Sequence, residues 1–568
     1  MTQVYSIEKI PTKTNSFTLK VNNFFLHSKY NPEKEAEQFA KKNYTENHLH
    51  ILFGYGLGYF AKALQSKFKE NDQILVIDPL FNEHENSNEI KGIPILYDID
   101  KRELEIEINK TLTDYNVNVK MICSPNYDKL FTEKYKLVLN IVQEILRINS
   151  LSRNTINFFA ETWQENYVRN LIHVSNDSSL SALEKRFDIP VVIASGGPSL
   201  TKQIPRLKEI RSKVILIASG STINTLLHYN IEPDFIVSID GGENNYNHFK
   251  NHIFTDSYFI YSVRNHYKIR EQFKNKAFSF IPSDEPEVQR HLEKITKKSL
   301  PMLLGGTSVA NYAFTSALYM STGKIALIGQ DLAYTDNKTH AEHNKHFQEI
   351  TEDYKKERST FFTEGYNGDE VLTDAALLSM KNSFEQVAGF SNEGDRLYNC
   401  TEGGVRIEGF IQQTFNEFCD GIESSDVKIV LENDNVESDL IGFRDRIQDE
   451  VSIYEKLLKL LEKSLKLLDG NKNKLTFDQK VIKGLNKVDK ETKKIFEIVS
   501  MNSIVEPISI DTLSNFLPKQ NESKKEEYDR VFNQNKQLYS RLLSAAKLSK
   551  QYTEELLTEV TKKIEDEK

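Results

Sequence analysis

The sequence predicts an α/β protein of three parts: an α/β domain over residues 1–180, a second α/β domain over 185–420, and a helical domain over 430–568. Three observations predict it. Short apolar runs that end in glycine loops and lead into helices recur through the first 420 residues. Glycine nearly vanishes beyond residue 430. There Lys, Glu and Leu dominate, with apolar residues in heptad spacing. A chain of 568 residues has room for about three domains. Its 39% hydrophobic and 27% charged residues are ordinary for a soluble globular protein. The 73 Lys and Arg against 82 Asp and Glu leave a net charge of −9, which argues against a dominant nucleic-acid footprint. Cys123, Cys400 and Cys419 are too few and too scattered for a disulfide framework or a structural zinc site, so a reducing compartment is expected. The opening MTQVYSIEKI lacks the apolar core of a secretory signal, and no apolar run approaches the roughly 18 residues that span a bilayer. A cytoplasmic protein is expected.

The first element pair lies at HILFGYGLGYF, residues 50–60. An apolar strand over 51–53 runs into Gly54, Gly56 and Gly58, a helical segment follows, and a second strand (74–77) ends at Asp78. Gly58 and Asp78 are 20 residues apart. This is the logic of a mononucleotide-binding βαβ unit: glycines let the backbone approach a ligand, and an acid at the next strand end meets a ribose hydroxyl. A Rossmann-like domain is predicted, with its site either used or empty, and the empty reading is preferred. The stretch that follows is mostly helical. Trp163, Tyr167 and Leu171 share four-residue spacing on one helix face, where core packing is their expected role.

The central domain carries most of the turn chemistry. VVIA (191–194) reads as a buried parallel strand. Ser195, Gly196, Gly197, Pro198, Ser199 and Leu200 then form a tight loop before a helix. Backbone N–H groups in such a loop can converge on an anion, and the helix N-terminus adds partial positive charge. Ser199 is placed to cap that helix or to donate to a phosphate. No lysine occupies the Walker position, which excludes an NTPase P-loop. The next strand ends in Gly220, Ser221 and Thr222. The strand after it leads to Asp240, Gly241 and Gly242, where a carboxylate could accept ribose hydroxyls, hold a divalent cation or act as a base. Gly305 and Gly306 with Thr307 and Ser308 form another potential anion nest before a helix. The strand over 324–329 ends at Gln330 and Asp331. His340 and His343 follow in a polar loop, where a metal would need a third ligand, and where His340 is the better candidate for general acid or base.

The last segment shows Ile447, Val451, Tyr454, Leu458, Leu461, Leu465 and Leu468 at spacings 4, 3, 4, 3, 4, 3, with Gly470 just past them. Further seams run through Val481, Leu485, Val488, Thr492, Ile495 and Val499, and through Val531, Leu538, Leu542, Ala545, Tyr552 and Leu556. Three helices in an antiparallel bundle are expected, covering one face of the core, or serving as a docking platform for a protein partner or a dimer interface.

The motifs SGGPSL (195–200), PDFIVSIDGG (233–242), GGTSVA (305–310), GQDLAYTDNKTHAEH (329–343) and NCTEGGVRIEG (399–409), together with ILFGYGLGYFAKAL, resemble the motility accessory factor family, which glycosylates flagellin. The resemblance covers nearly the whole chain. It implies a central GT-A-like, sialyltransferase-like domain that transfers a nonulosonic acid (pseudaminic, legionaminic or sialic acid) from its CMP-activated form to Ser or Thr of flagellin. Carried over, residues 196–200 would face the CMP, with Ser195, Gly220, Ser221, Asp240, Gly241, Gly242 and Gln330 in the same donor site. Thr307 and Ser308 would lie near the phosphate or the sugar carboxylate, Asp331 near ribose or the acceptor, and His340 would be the base. No cofactor or metal is expected, since CMP leaves with a single phosphate. The central domain also resembles 6-hydroxymethylpterin pyrophosphokinases, which use ATP and magnesium. A pyrophosphokinase, and a flagellin-binding factor without catalysis, are therefore the competing expectations.

Overall fold

The computed structural model describes residues 5–69, 72–81, 90, 92–97, 101–114, 118–283, 285–422, 426, 429–431, 439–499, 501–518 and 522–566. The first four residues, part of the segment read above for a signal, lie outside them. Two compact units form: Met1–Thr155 with Lys519–Asn521, and Ile156–Pro518 with Glu522–Lys568.

The first unit opens with an antiparallel three-stranded sheet, β1 (Ile7–Pro11), β2 (Phe17–Val21) and β3 (Phe24–Phe25). Its main sheet is parallel, in the order β6-β5-β4-β7, from β4 (His48–Phe53), β5 (Gln73–Ile77), β6 (Ile95–Leu96) and β7 (Asn118–Cys123). The expected strand–loop–helix–strand unit is present, with the helix at Tyr59–Gln65.

The second unit is built on a ten-stranded sheet. Its members are β8 (Ser178–Ser179), β9 (Val191–Ala194), β10 (Ile215–Ser219), β11 (Phe235–Ser238), β12 (Tyr258–Ser262), β13 (Ala277–Pro282), β14 (Met302–Leu303) and β15 (Ile325–Ile328). A hairpin of β16 (Phe361–Glu364) and β17 (Glu370–Thr373) stands apart, and β18 (Leu397–Asn399) and β19 (Ile411–Gln412) complete the sheet. The order is β14-β13-β12-β11-β10-β9-β15-β18-β19, and every pairing on this path is parallel. Strands buried on both faces read as continuous apolar runs, as these do. Successive residues enter opposite cores. Val192, Ala194, Leu216, Ala218 and Ile236 face one, and Val191, Ile193, Ile215, Ile217 and Phe235 face the other. From β9 the chain winds outward through β10 to β14, then returns to the other side of β9 as β15. The sheet reverses direction there, and open α/β sheets bind ligands at such a point, beyond the carboxyl ends of the strands.

The helical C-terminal region comprises Leu440–Asp469, Gln479–Phe496, Asn502–Asn515 and Lys524–Asp566. The Lys536–Asp469 and Lys550–Glu455 ion pairs show that the first and last run antiparallel. The Asn502–Asn515 helix is additional to the three expected. It carries Pro507 inside and has no heptad seam to reveal it. Residues 430–568 do not stand apart from 185–420: Leu440, Phe443, Ile447, Leu556, Val560 and Ile564 belong to the core beneath the sheet.

Candidate active site

The loop after β9 is braced by the loop after β15. Ser195 N–H donates to the Ile328 carbonyl (2.9 Å) and Gly197 N–H to the Gly329 carbonyl (2.8 Å). The Ser199 N–H (3.2 Å) and hydroxyl (2.8 Å) both donate to Asp331 Oδ2. Ser199 therefore does not cap the helix Leu200–Ile210: its backbone is already helical, and Asp331 takes its hydroxyl. Three of the loop N–H groups expected to meet an anion, those of Ser195, Gly197 and Ser199, are spent on this brace. A Cβ on Gly197 would collide with Asp331 Oδ2 and the Gly329 carbonyl, so this glycine serves close packing of the two loops. Pro198 and Leu200 are buried beneath it. The 401–405 segment closes over the other side, with Thr401 Oγ1 accepting from Gln330 N–H (3.2 Å) and Val405 N–H donating to the Asp331 carbonyl (2.9 Å). Asp331 is 1% exposed. Burial pushes its carboxyl up from the ordinary aspartate range, and the hydroxyls of Thr335 and Ser199 oppose that rise.

Gly196 faces three further side chains. A Cβ there would lie 2.9 Å from Asn344 Nδ2, 3.4 Å from Thr222 Oγ1 and 3.6 Å from His340 Cδ2. The crevice between the β9 and β10 loops is thus a glycine backbone ringed by an amide, a hydroxyl and an imidazole. Asn344 reaches Ser221 Oγ at 3.3 Å. Ala341 N–H donates to the Gly196 carbonyl (2.9 Å), which pins the His340 segment to the loop. Ser195 Oγ, Gln330 Oε1 and His340 Nδ1 are buried without a hydrogen-bond partner among the described residues. Buried polar atoms of this kind ask for a ligand or water. Burial, reinforced by the neighbouring His346, lowers the His340 pKa to about 4. His343 points elsewhere: it stacks on His228 with ring centroids 3.5 Å apart. Among the described residues no group of three or more His, Cys, Asp or Glu is arranged to hold a metal ion.

The remaining loops lie at the same sheet edge. Asp240 is exposed, and its Oδ1 accepts from Gly242 N–H (2.7 Å) in a local turn. Gly241 is needed where Asn166 and Trp163 pack against it. Gly305 and Gly306 make room for Tyr312 and Ser383. Ser308 caps Val309–Met320 in a capping box with Asn311, leaving exposed Thr307 as the free hydroxyl of that pair. Gly220 takes a left-handed φ of +43° and approaches Val309. Sequence reasoning brought the 195–200 loop and His340 to one crevice but did not select Thr222, Asn344, His248 or His346. The polar run THAEHNKH was the available signal for Asn344 and His346.

Comparison with known proteins follows this geometry. Residues 165–337 match the family model described as 6-hydroxymethylpterin diphosphokinase MptE-like. Over nearly its whole length the chain superposes on the structure of the MAf glycosyltransferase from Magnetospirillum magneticum AMB-1. The TM-score is 0.53 and the identity 14%, with 99% of this chain and 92% of that chain covered. The chain has the Maf fold. No curated protein matches it. The MptE-like segment of this Maf-like chain holds the loops at 195–200, 220–222, 240–242, 305–308 and 330–331. It ends before His340, Asn344 and His346.

The N-terminal glycine loop of the Maf-like chain is filled by its own side chains. Asp78 is fully buried, accepting Tyr55 N–H (2.7 Å), Gly56 N–H (2.9 Å) and the Tyr127 hydroxyl (2.9 Å) on Oδ2, and Leu80 N–H (2.6 Å) on Oδ1. A Cβ on Gly54 would strike the Tyr127 ring, and one on Gly56 the ring of His27. Asp78 holds the loop and does not face a ribose.

Proposed function

We propose that the chain is a glycosyltransferase that moves a nonulosonic acid from its CMP-activated form to Ser or Thr of flagellin. The observation that carries this reading is the match of the whole chain, helical region included, to a Maf glycosyltransferase. The crevice supports it chemically. Gly196, Thr222 and Asn344 offer N–H and O–H donors for a departing phosphate, whose charge is what such donors stabilise. His340 takes the proton of the incoming hydroxyl. That oxygen bonds to the anomeric carbon as the carbon–phosphate oxygen bond breaks, and CMP leaves with the electron pair. A histidine with a pKa of about 4 is a weak base, but the phosphate and carboxylate of a CMP-nonulosonate bring negative charge that raises it. Asp331 acts as a positioning residue, holding the 195–200 loop through Ser199. The donor domain is read as GT-A-like, the work is cytoplasmic, and no metal is required.

The test is intact mass spectrometry of unmodified flagellin incubated with the purified protein and a CMP-nonulosonate, with and without EDTA. A mass increment of one sugar, undiminished by EDTA, is expected. Binding of flagellin without a mass shift would mark a docking factor and overturn the assignment. One observation favours a second reading: residues 165–337 match a diphosphokinase model. Diphosphate transfer from ATP–magnesium to 6-hydroxymethylpterin, with no change in flagellin mass, would establish that reading instead.

A further inference from the structure

A line of three side chains runs from the helix after β10 to the rim of the crevice. Asn224 Nδ2 donates to the Ser221 carbonyl at 3.0 Å, which fixes the orientation of the amide. The same nitrogen stands 3.1 Å from His248 Nδ1. Facing a donor, Nδ1 must accept, so neutral His248 carries its proton on Nε2. His248 Nε2 lies 3.0 Å from His346 Nε2. His346 must therefore accept at Nε2 and carry its own proton on Nδ1. A metal between the two rings is excluded on the same ground, since His248 has no lone pair at Nε2. His248 is 5% exposed, on the Glu243–Phe249 helix, and burial with nearby His346 lowers its pKa to about 4. His346 is exposed, but Asn344 Oδ1 accepts its N–H (2.9 Å) and Thr339 Oγ1 donates to its carbonyl (2.9 Å). The titratable groups facing it are His248 at a ring separation of 4.9 Å, His340 at 5.6 Å, and Lys345, whose Nζ donates to the Asn247 carbonyl.

We propose that Asn224 and His248 are positioning residues that fix His346 in its Nδ1–H form and so hold its ring in place beside His340. The proposal rests on the reading of His340 as the base. A second proton on His346 would set two N–H groups against each other across 3.0 Å.

Two measurements test this on the full chain. Long-range proton–nitrogen correlation of histidine-labelled protein at pH 7.5 should show His248 as the Nε2–H tautomer and His346 as the Nδ1–H tautomer. In His248→Phe, His346 should become a tautomer mixture. In His248→Gln, whose side-chain amide can donate at the same place, it should stay fixed. An Nδ1–H form of His248, or an unchanged His346 in His248→Phe, overturns the proposal. In the transfer assay, His248→Phe should lower kcat with KM unchanged, and His248→Gln should restore kcat toward the wild-type value. An unchanged kcat in His248→Phe also overturns it. The tautomer measurement needs no substrate. The expected tautomers without any transfer would overturn the transferase reading alone and uphold the geometry of the relay.

Discussion

Asp331 shows how much one residue organises here. It receives two hydrogen bonds from Ser199, and its carbonyl accepts from Val405. Removing a buried partner costs the desolvation of the groups left behind, about 1–3 kcal/mol. Asp331→Ala should therefore lower the melting temperature more than Ser199→Ala, which removes only one of the two bonds. Equal melting of Asp331→Ala and wild type would refute the brace. Glycine substitutions give a paired test. Gly404 has a φ of +71°, and a Cβ there would run into the Asp331 carbonyl, so Gly404→Ala should destabilise by about 1–3 kcal/mol. Gly389 lies inside the Ala375–Ser391 helix with open space around it, so Gly389→Ala should stabilise by roughly 0.5–1 kcal/mol. Thermal melts of the two variants should shift in opposite directions. Asp331 and His340 were legible in the sequence because each follows a strand end or a glycine motif. Thr222, Asn344, His248 and His346 were not. A polar residue in a polar loop looks like any other until the fold brings Gly196 beneath it.

At the scale of elements, the strands were the most legible part. Runs such as VVIA and IALI are apolar at every position because both faces are covered. The helical region was legible in kind but not in register. The seam through Leu458 and Leu465 leaves both only half buried, while Leu457 and Ser464 are buried. The Leu440–Asp469 helix is turned slightly, because it must meet the sheet core as well as its bundle partners. That turn also buries Glu450, which a heptad seam leaves outside. Glu450 Oε2 lies 2.9 Å from His291 Nε2, and His291 Nδ1 lies 2.7 Å from the Tyr167 hydroxyl. Within the second unit this buried line joins the C-terminal part of the helix Thr132–Asn176, through Tyr167, to the helices Pro286–Thr296 and Leu440–Asp469. Glu450→Ala leaves His291 Nε2 without its partner and should cost about 1–3 kcal/mol in the second unit's transition. Crevice chemistry should be unchanged below that transition. A melting curve that superposes on wild type would show the line to be incidental.

The whole molecule was legible as α/β parts with a helical tail, yet it packs as two units. No helix among the described residues is long and apolar enough to cross a membrane. The two units should respond differently to acid. In the second unit, burial lowers the pKa of His173, His248 and His340 to about 4 and also lowers His252 and His266. In the first unit burial lowers the pKa of His50 in the same way. A histidine held below its unfolded value is neutral in the fold. Its contribution is complete above the unfolded pKa of about 6.5. It is lost as pH falls from there toward the folded value, because the unfolded chain binds the proton first. Lowering the pH from 7.5 to 5 should therefore lower the second unit's transition more steeply than the first's. Calorimetry of the full chain across that range is the check. His340→Gln and His248→Gln should each flatten the slope of the second transition and leave the first unmoved. Parallel slopes in the wild-type chain would mean that the buried imidazoles gain protons with the fold intact, and that water reaches the crevice more freely than its packing implies.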